Sequence, residues 1–268
     1  RCMKTRGEKI ADVVLYVLLT LITLAALYPI WYVVMASVSD GNALMRYSGP
    51  LVLPQGFSLS AYEVVLNNKS IYTGYANTIF YVAVGTTLNM IMTTLGAYVL
   101  SRKNFFWSSP IMMLITITMF FSGGLIPGYL NVKDFGMIDS LWSLIIPGAI
   151  STYNMIIMKT AFAAVPDSLI ESAQLDGARH FTILTRIAVP LAVPTIVVLI
   201  LYYGVGHWNS WFAASIYLQS PEKYPLQLVM RNILNSANIN EMMGGVDAGD
   251  QARYVELIKY ALIVVSTV

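Results

Sequence analysis

A chain of 268 residues that is 57% hydrophobic and only 11% charged, with a mean hydropathy of +0.65, has too little polar surface to solvate a globule of its size. This composition excludes a soluble domain and defines a polytopic membrane protein. A net charge of +2, spread over scattered basic residues, points to no nucleic-acid partner, and the single cysteine, Cys2, cannot form an internal disulfide.

Arg1, Lys4, Arg6 and Lys9 precede a first apolar run over residues 10–36. That run is about twice the length of a signal-peptide core and lacks a small-residue cleavage site, so a retained first span is predicted. Further runs at 75–100, 109–130, 138–162, 188–217 and 252–268 bring the predicted spans to six, each near the roughly 20 apolar residues that a bilayer requires. The last run is about 15 residues long and still apolar at Val268, so the natural chain is expected to continue on the cytoplasmic side. Arg102 and Lys103 follow the second run, and Lys159, Arg179 and Arg186 surround the loop after the fourth. With the N-terminal cluster they place those segments, and both termini, in the cytoplasm. The opposite side then receives loops 38–74 and 218–251, whose Arg46, Lys69, Lys223 and Arg231 are too dispersed to reverse the bias. Ser48-Gly49-Pro50, Pro54-Gln55-Gly56 and Asn67-Asn68 predict an ordered but irregular first loop. In the second, a short helix is predicted around Leu226–Leu234, then a flexible tip at Gly244-Gly245 that suits an external partner or serves as a plain connector.

The most informative stretch lies between the fourth and fifth runs. Pro166 ends the fourth, because a residue without an N–H cannot continue a helix. With Ser168 three residues before Glu171, the spacing of a capping box, a new helix is predicted to begin just after this proline. It is predicted to stop at Gly177, which can take the left-handed conformation that closes a helix. A second short helix carrying Arg179, His180 and Arg186 then runs to Pro190. The result is a compact elbow over 166–190. Ala173 permits close approach, Glu171, Asp176 and Arg179 offer polar handles, and burial of Leu169, Ile170 and Leu175 in another protein's groove would supply affinity.

The string Glu171-Ser172-Ala173-x-x-x-Gly177-x9-Ile187-x-Val189-Pro190 resembles the E-A-A-x-x-x-G-x9-I-x-L-P loop of permease subunits of bacterial binding-protein-dependent ABC importers. Ser172 replaces the second alanine and Val189 the leucine, small changes that leave the glycine hinge intact. The resemblance covers about residues 75–268, with the first span as an N-terminal addition. It implies an all-α, six-helix type I importer permease fold, forming one transmembrane domain over 1–268. It also implies that the elbow is a coupling helix seated in a separate ATPase, a role that would fall on Glu171, Ser172, Ala173, Asp176, Gly177 and Arg179. Asn77-Thr78, Gly96-Ala97-Tyr98 with Ser101-Arg102, and Ala164-Val165-Pro166 are similar to the maltose-permease type of sugar importer. The segments 121–127 and 204–212 are similar to the branch for complex or acidic plant and algal oligosaccharides.

Polar residues inside a span are costly unless they face a cavity or a partner helix, which makes Tyr153, Asn154, His207, Trp208, Asn209 and Trp211 candidates for a sugar path. Aromatic faces beside amide and imidazole groups suit a sugar. The same pattern also fits tryptophans anchored at the membrane interface, with His207 and Asn209 bonded to a neighbouring helix. Gly123-Gly124 and Pro127-Gly128 are predicted to break the third span near its outer end, where they would border a gate.

No phosphate loop of the G-x-x-x-x-G-K-S/T type is present, and His180 and His207 are too far apart to suggest a metal pair. This chain is thus expected to be no enzyme and to bind no cofactor or metal, with ATP and Mg at its partners. The resemblance implies a second homologous permease, two cytoplasmic ATPase subunits and an extracellular or periplasmic solute-binding protein in the bacterial cytoplasmic membrane. An importer for another small solute such as an amino acid, and a membrane scaffold or receptor, are the alternatives.

Overall fold

The computed structural model describes residues 6–235 and 248–267, and the described residues fall into two compact units. One unit comprises the chain up to Ile71 and from Met230 onward, and the other runs from Tyr72 to Val229. Cys2 and the predicted tip at Gly244-Gly245 lie outside the described residues.

The first unit is built on helix α1 (Arg6–Ser37), about 48 Å long at 1.5 Å per residue. Its apolar side chains from Ile10 to Ile30 stay largely exposed, as expected of a helix dissolved in lipid. Thr20 and Thr23 donate their hydroxyls to the carbonyls four residues back, so neither presents an unmet polar group. The following loop is irregular but tied down, as the sequence predicts. Asp40 caps the short helix α2 (Gly41–Arg46) through the N–H groups of Asn42 and Ala43, and Gly56, at φ +63°, turns the chain back so that Ser39 and Phe57 form an antiparallel bridge. Trp31 Nε1 donates to the Val52 carbonyl, and the Leu51 N–H donates to the Tyr28 hydroxyl. Helix α3 (Ser60–Leu66) follows. The last described helix, α14 (Ala248–Thr267), packs on α1, α2 and α3, with Tyr260 edge-on to Tyr32.

The second unit is organised by helix α4 (Lys69–Ser101) from Tyr72 onward. Thr78, Tyr81, Gly85, Asn89, Thr93 and Ala97 recur every three or four residues on one buried face. Helices α5 (Ser108–Phe120) and α6 (Leu125–Asp134) are bent by 117° about Gly124, whose φ of +85° suits a residue without a β-carbon. The predicted break in the third span is therefore present at Gly123-Gly124, whereas Pro127-Gly128, also expected to break it, lie within α6. A 3-10 turn at Leu141–Leu144 precedes helix α7 (Thr152–Ala163), whose cap is the Ser151 hydroxyl, 3.4 Å from the Asn154 N–H. After the elbow come helix α11 (Val193–Trp208), helix α12 (Trp211–Tyr217) and a 3-10 turn at Pro221–Lys223, and then helix α13 (Leu226–Leu234), the last of these at the bounds the sequence predicts.

The continuous span expected over 138–162 is corrected: helix starts only at Thr152, because Asp139, Pro147-Gly148 and Ser151 interrupt the apolar run. The run 188–217 likewise divides at Ala192 and again at Asn209-Ser210. Among the described residues, α1 and α4 are long and apolar enough to cross a membrane alone, and two bent pairs raise the number to four. Helices α7 and α14 occupy the remaining predicted positions, so the fold is all-α, polytopic and compatible with six spans.

Candidate functional site

The elbow is shaped by backbone chemistry. Pro166, at ψ 130°, turns the chain into helix α8 (Asp167–Leu175), and the Asp167 carboxylate sits in the first turn, where the helix dipole favours an anion. Lys103 Nζ lies 2.6 Å from Asp167 Oδ2. This hydrogen bond and the lysine's charge hold the Asp167 carboxyl below the usual carboxylate range. The same bond raises Lys103, with a smaller push from Glu171. The predicted capping box does not form: the cap is Pro166, which has no side-chain oxygen, and Ser168 already lies within the helix, its carbonyl accepting the Ser172 hydroxyl at 2.8 Å. Glu171 thus points away from any capping role and stays exposed.

At its other end α8 closes as predicted. Gly177 adopts φ +80°, its N–H donates to Gln174 O at 3.0 Å, and the Ala178 N–H donates to Ala173 O at 2.9 Å, the two bonds of a Schellman motif. A β-carbon at Gly177 would meet nothing within 4 Å, so the constraint there is conformational rather than steric. Helix α9 (His180–Ile183) then widens into a π-helical turn at Leu184–Ala188 and a last turn, α10 (Val189–Leu191). The π turn immediately before Pro190 accommodates a residue that lacks an N–H, and the second arm runs through Pro190 to Leu191 instead of ending at the proline. At Ala192 the chain bends by 84° into α11.

One side of the elbow belongs to the core. Ile170 is only 7% exposed and clusters with Phe162, Val165, Ile183 and Leu184, which removes it from the side chains expected to enter a partner. Leu175 at 89% and Phe181 at 70% exposure stand out instead, with Leu169 half-exposed. Phe181 was not among the residues singled out from the sequence, although its position after Arg179-His180 in a short helix made it visible. Glu171, Ser172, Asp176, Gly177 and Arg179 are exposed around these apolar groups, and Ala173 is half-buried against the core.

Most of the polar residues expected along a path take their partners from this chain. His207 Nε2 lies 2.7 Å from Asn89 Oδ1, and Asn89 Nδ2 donates to Gly148 O at 2.6 Å, which joins α11, α4 and the segment before α7. Gly85 makes this approach possible, since a β-carbon there would sit 2.5 Å from His207 Nε2. One turn away, Tyr203 OH and Thr93 Oγ1 are 2.7 Å apart, and the tyrosine also accepts the Ser151 N–H. Trp208 lies edge-on to Tyr75, Trp211 packs on the cluster around Tyr81, and Asn209 Nδ2 returns to Val205 O. Asn154 is buried in α7, whereas Tyr153 is 56% exposed. Asn89, Thr93 and Tyr203 were missed in the sequence, although polar residues recurring every three or four positions within an apolar run are a readable signal. A half-open cavity of about 590 Å³ beside α6 is lined by Gly128, Asn131, Phe135, Met137 and Tyr217 among others, and none of the six path candidates lines it.

Far from the elbow, Asp139 gathers a second polar centre. Its φ of +55° turns the carboxylate toward the N–H groups of Gln219 at 3.0 Å and Ser220 at 2.9 Å, the Ser220 hydroxyl at 2.6 Å and Lys223 Nζ at 2.9 Å. The Ser220 and Lys223 bonds hold its carboxyl far below the usual carboxylate range. Tyr81 OH donates to Lys223 O and Asn77 Nδ2 to Glu222 O, which fastens this knot to α4.

Broken spans, a polar seam bonded within the chain and an exposed apolar elbow together define a multi-helix membrane protein with one surface left open. Residues 3–268 match the family of binding-protein-dependent transport system inner membrane components, and the chain belongs to that family. It is similar to the polygalacturonan/rhamnogalacturonan transport system permease protein YtcP of Bacillus subtilis (strain 168), with 35% identity over 97% of this chain and 91% of that protein. Protein LplC of the same organism is 33% identical over 98% of this chain and 88% of its own length. In three dimensions the chain superimposes with a TM-score of 0.91 and 34% identity on a chain from the crystal structure of a bacterial ABC transporter involved in the import of the acidic polysaccharide alginate, covering 99% of this chain and 94% of that one.

Proposed function

We propose that this chain is the permease of an ATP-driven importer for oligosaccharides released from an acidic plant or algal polysaccharide, coupled to a separate ATPase through the 166–190 elbow. The observation that carries the reading is the elbow itself: a Schellman-closed helix whose Leu175 and Phe181 stay in the open while its Ile170 is anchored in the core. Apolar side chains held out by a rigid backbone are what a groove on a partner protein takes up. The 35%-identical polygalacturonan/rhamnogalacturonan permease and the alginate-importer likeness support the substrate class. In this reading a second permease completes the path and a solute-binding protein delivers the sugar. ATP with Mg is bound and hydrolysed by two partner subunits, both termini face the cytoplasm, and the far knot around Asp139 faces the delivering protein. ATP binding draws the partner subunits together, the elbows follow, and the helices shift between inward-open and outward-open arrangements.

Purification of the chain with its co-expressed neighbours in mild detergent, followed by ATPase assay with binding proteins loaded with defined oligosaccharides, tests this. Stimulation by one loaded binding protein is the expected result, and its bound sugar identifies the substrate. A folded complex with no associated ATPase would overturn it.

A further inference from the structure

Tyr98, Ser101 and Arg102 close α4 and have no part in the elbow surface or in the polar seam. Arg102 makes an unusual set of contacts for a basic residue at a membrane boundary. Its Nη2 donates to Phe162 O at 3.0 Å and to Ser101 Oγ at 2.9 Å, and its Nε donates to the same hydroxyl at 3.1 Å. Its guanidinium carbon stands 4.7 Å from the centre of the Tyr98 ring, and that ring is edge-on to Phe162 at 6.1 Å. Phe162 belongs to the last turn of α7, and Pro166, where the elbow starts, follows four residues on. One half-buried planar cation therefore binds the last turn of α4 to the last turn of α7 at the point where the elbow departs.

We propose that Arg102 is a strut, a positioning residue that carries movement of the elbow into α4; the inference rests on the elbow being the seat of the ATPase. A guanidinium with fixed donors, stacked on one ring and bonded to a carbonyl, resists both translation and rotation of the two helix ends, which an ammonium on a flexible stem does not. A cation serving only to orient the chain in the membrane would extend toward water or headgroups, whereas Arg102 turns to its own chain's ring and carbonyl. The neighbouring pair Lys103–Asp167 reaches the first turn of α8, but its side chains are 81% and 55% exposed and it gives little directional restraint. Beyond the strut, α4 carries Asn89 and Thr93, which hold α11 and the segment before α7, so a displacement at Arg102 reaches the seam.

The test uses the whole importer in proteoliposomes, with sugar uptake and ATP hydrolysis measured together. Arg102→Met is expected to assemble with the ATPase subunits and hydrolyse ATP within about twofold of wild type while moving about tenfold less sugar per ATP, a typical size for coupling between sites. Arg102→Lys, which keeps the charge but not the fork, is expected to lose most of the same ratio, and it decides the matter by that ratio where Arg102→Met does not assemble. Tyr98→Phe is expected to be unchanged, because the Tyr98 hydroxyl has no partner and the ring face remains. Uptake and hydrolysis falling in proportion, or an unchanged ratio in the arginine variants, would overturn the strut. Wild type lacking ATP-driven uptake would defeat the elbow reading itself, whereas coupled wild type with equally coupled variants defeats the strut alone.

Discussion

The elbow around Gly177 and the knot around Asp139 solve opposite problems with similar means. Both turn on a left-handed residue, Gly177 at φ +80° and Asp139 at φ +55°. At Asp139 the turn aims a carboxylate at four donors of its own chain, and side-chain bonds fasten the following loop at Gln219, Ser220, Lys223 and Tyr224. At Gly177 the turn is closed by backbone bonds alone, which leaves Leu175, Phe181, Glu171 and Asp176 uncommitted to the core. A knot that answers its own polar groups is a fixed joint. An elbow that spends only backbone on its shape keeps its side chains for something outside the chain.

The sharpest way to break this contrast is at Gly177. Replacement by leucine is expected to abolish uptake, by about 100-fold or more, while the chain still inserts in the membrane. A left-handed non-glycine residue costs only about 1–2 kcal/mol and a β-carbon there meets nothing within 4 Å, so a loss of that size in uptake with little loss of folded protein locates the cause in a partner. Uptake assays beside quantitation of membrane-inserted protein check it, and wild-type uptake in the leucine variant would show that the elbow stands free. The knot is expected to respond in the reverse manner. Asp139→Ala strands the N–H groups of Gln219 and Ser220 and leaves the Lys223 ammonium only the main-chain carbonyl of residue 139, so the melting temperature of the purified complex should fall by a few degrees with coupling unchanged. Because the folded Asp139 carboxyl lies far below its ordinary value, its contribution is complete above the ordinary carboxylate range. It is lost as pH falls from about 4 toward the folded pKa. Melting curves over that window should slope in wild type and flatten in Asp139→Ala.

How far these regions were legible in the sequence depends on what kind of signal made them. Gly177 was legible because a glycine after an amphipathic turn has a conformational meaning of its own, and α1 and α4 were legible because length and hydropathy suffice for a helix in lipid. The elbow's spacing was readable too, as was a helix starting just after Pro166, but the capping box at Ser168 does not form, because Pro166 is itself the cap. The break before α7 was present as Pro147-Gly148 and Ser151, yet a hydropathy window over 138–162 averages such residues away. Nothing in the sequence announced the bend at Ala192, an alanine among apolar neighbours, or the bonds of Asp139, whose donors lie 80 or more residues along the chain. His207 was noticed as a polar residue in a span, but its alternatives, path or tether, are separated only by the position of Asn89.

The seam between the two regions offers a smaller test of whether the rigidity of the knot extends along α4. Gly85→Ala places a methyl 2.5 Å from His207 Nε2, an approach no relaxed structure tolerates, and is expected to cost about 1–3 kcal/mol in stability. His207→Ala removes one interhelical hydrogen bond, for about 0.6–1.7 kcal/mol. In the double variant the new methyl occupies the space the imidazole left, so the two costs should sum to clearly less than their separate values. Unfolding of the four proteins in matched detergent measures the cycle, and strict additivity would mean that α4 and α11 do not meet at this point.

The smallest effect is expected at Lys103→Gln. This pair ties the end of α4 to Asp167 in the first turn of α8, where Arg102 holds Phe162 in α7; it has the shorter separation and would rank first by distance alone. Both its side chains are nevertheless largely in solvent, where water competes for each charge and salt at physiological strength screens beyond about 8 Å. Uptake per ATP should therefore stay within about twofold of wild type, and what difference remains should vanish as salt is raised. A tenfold loss at Lys103, persisting in high salt, would mean that the joint between α4 and the elbow is electrostatic and solvent-facing. In that case the division between a closed molecule and an open elbow would begin at Lys103 and not at Arg102.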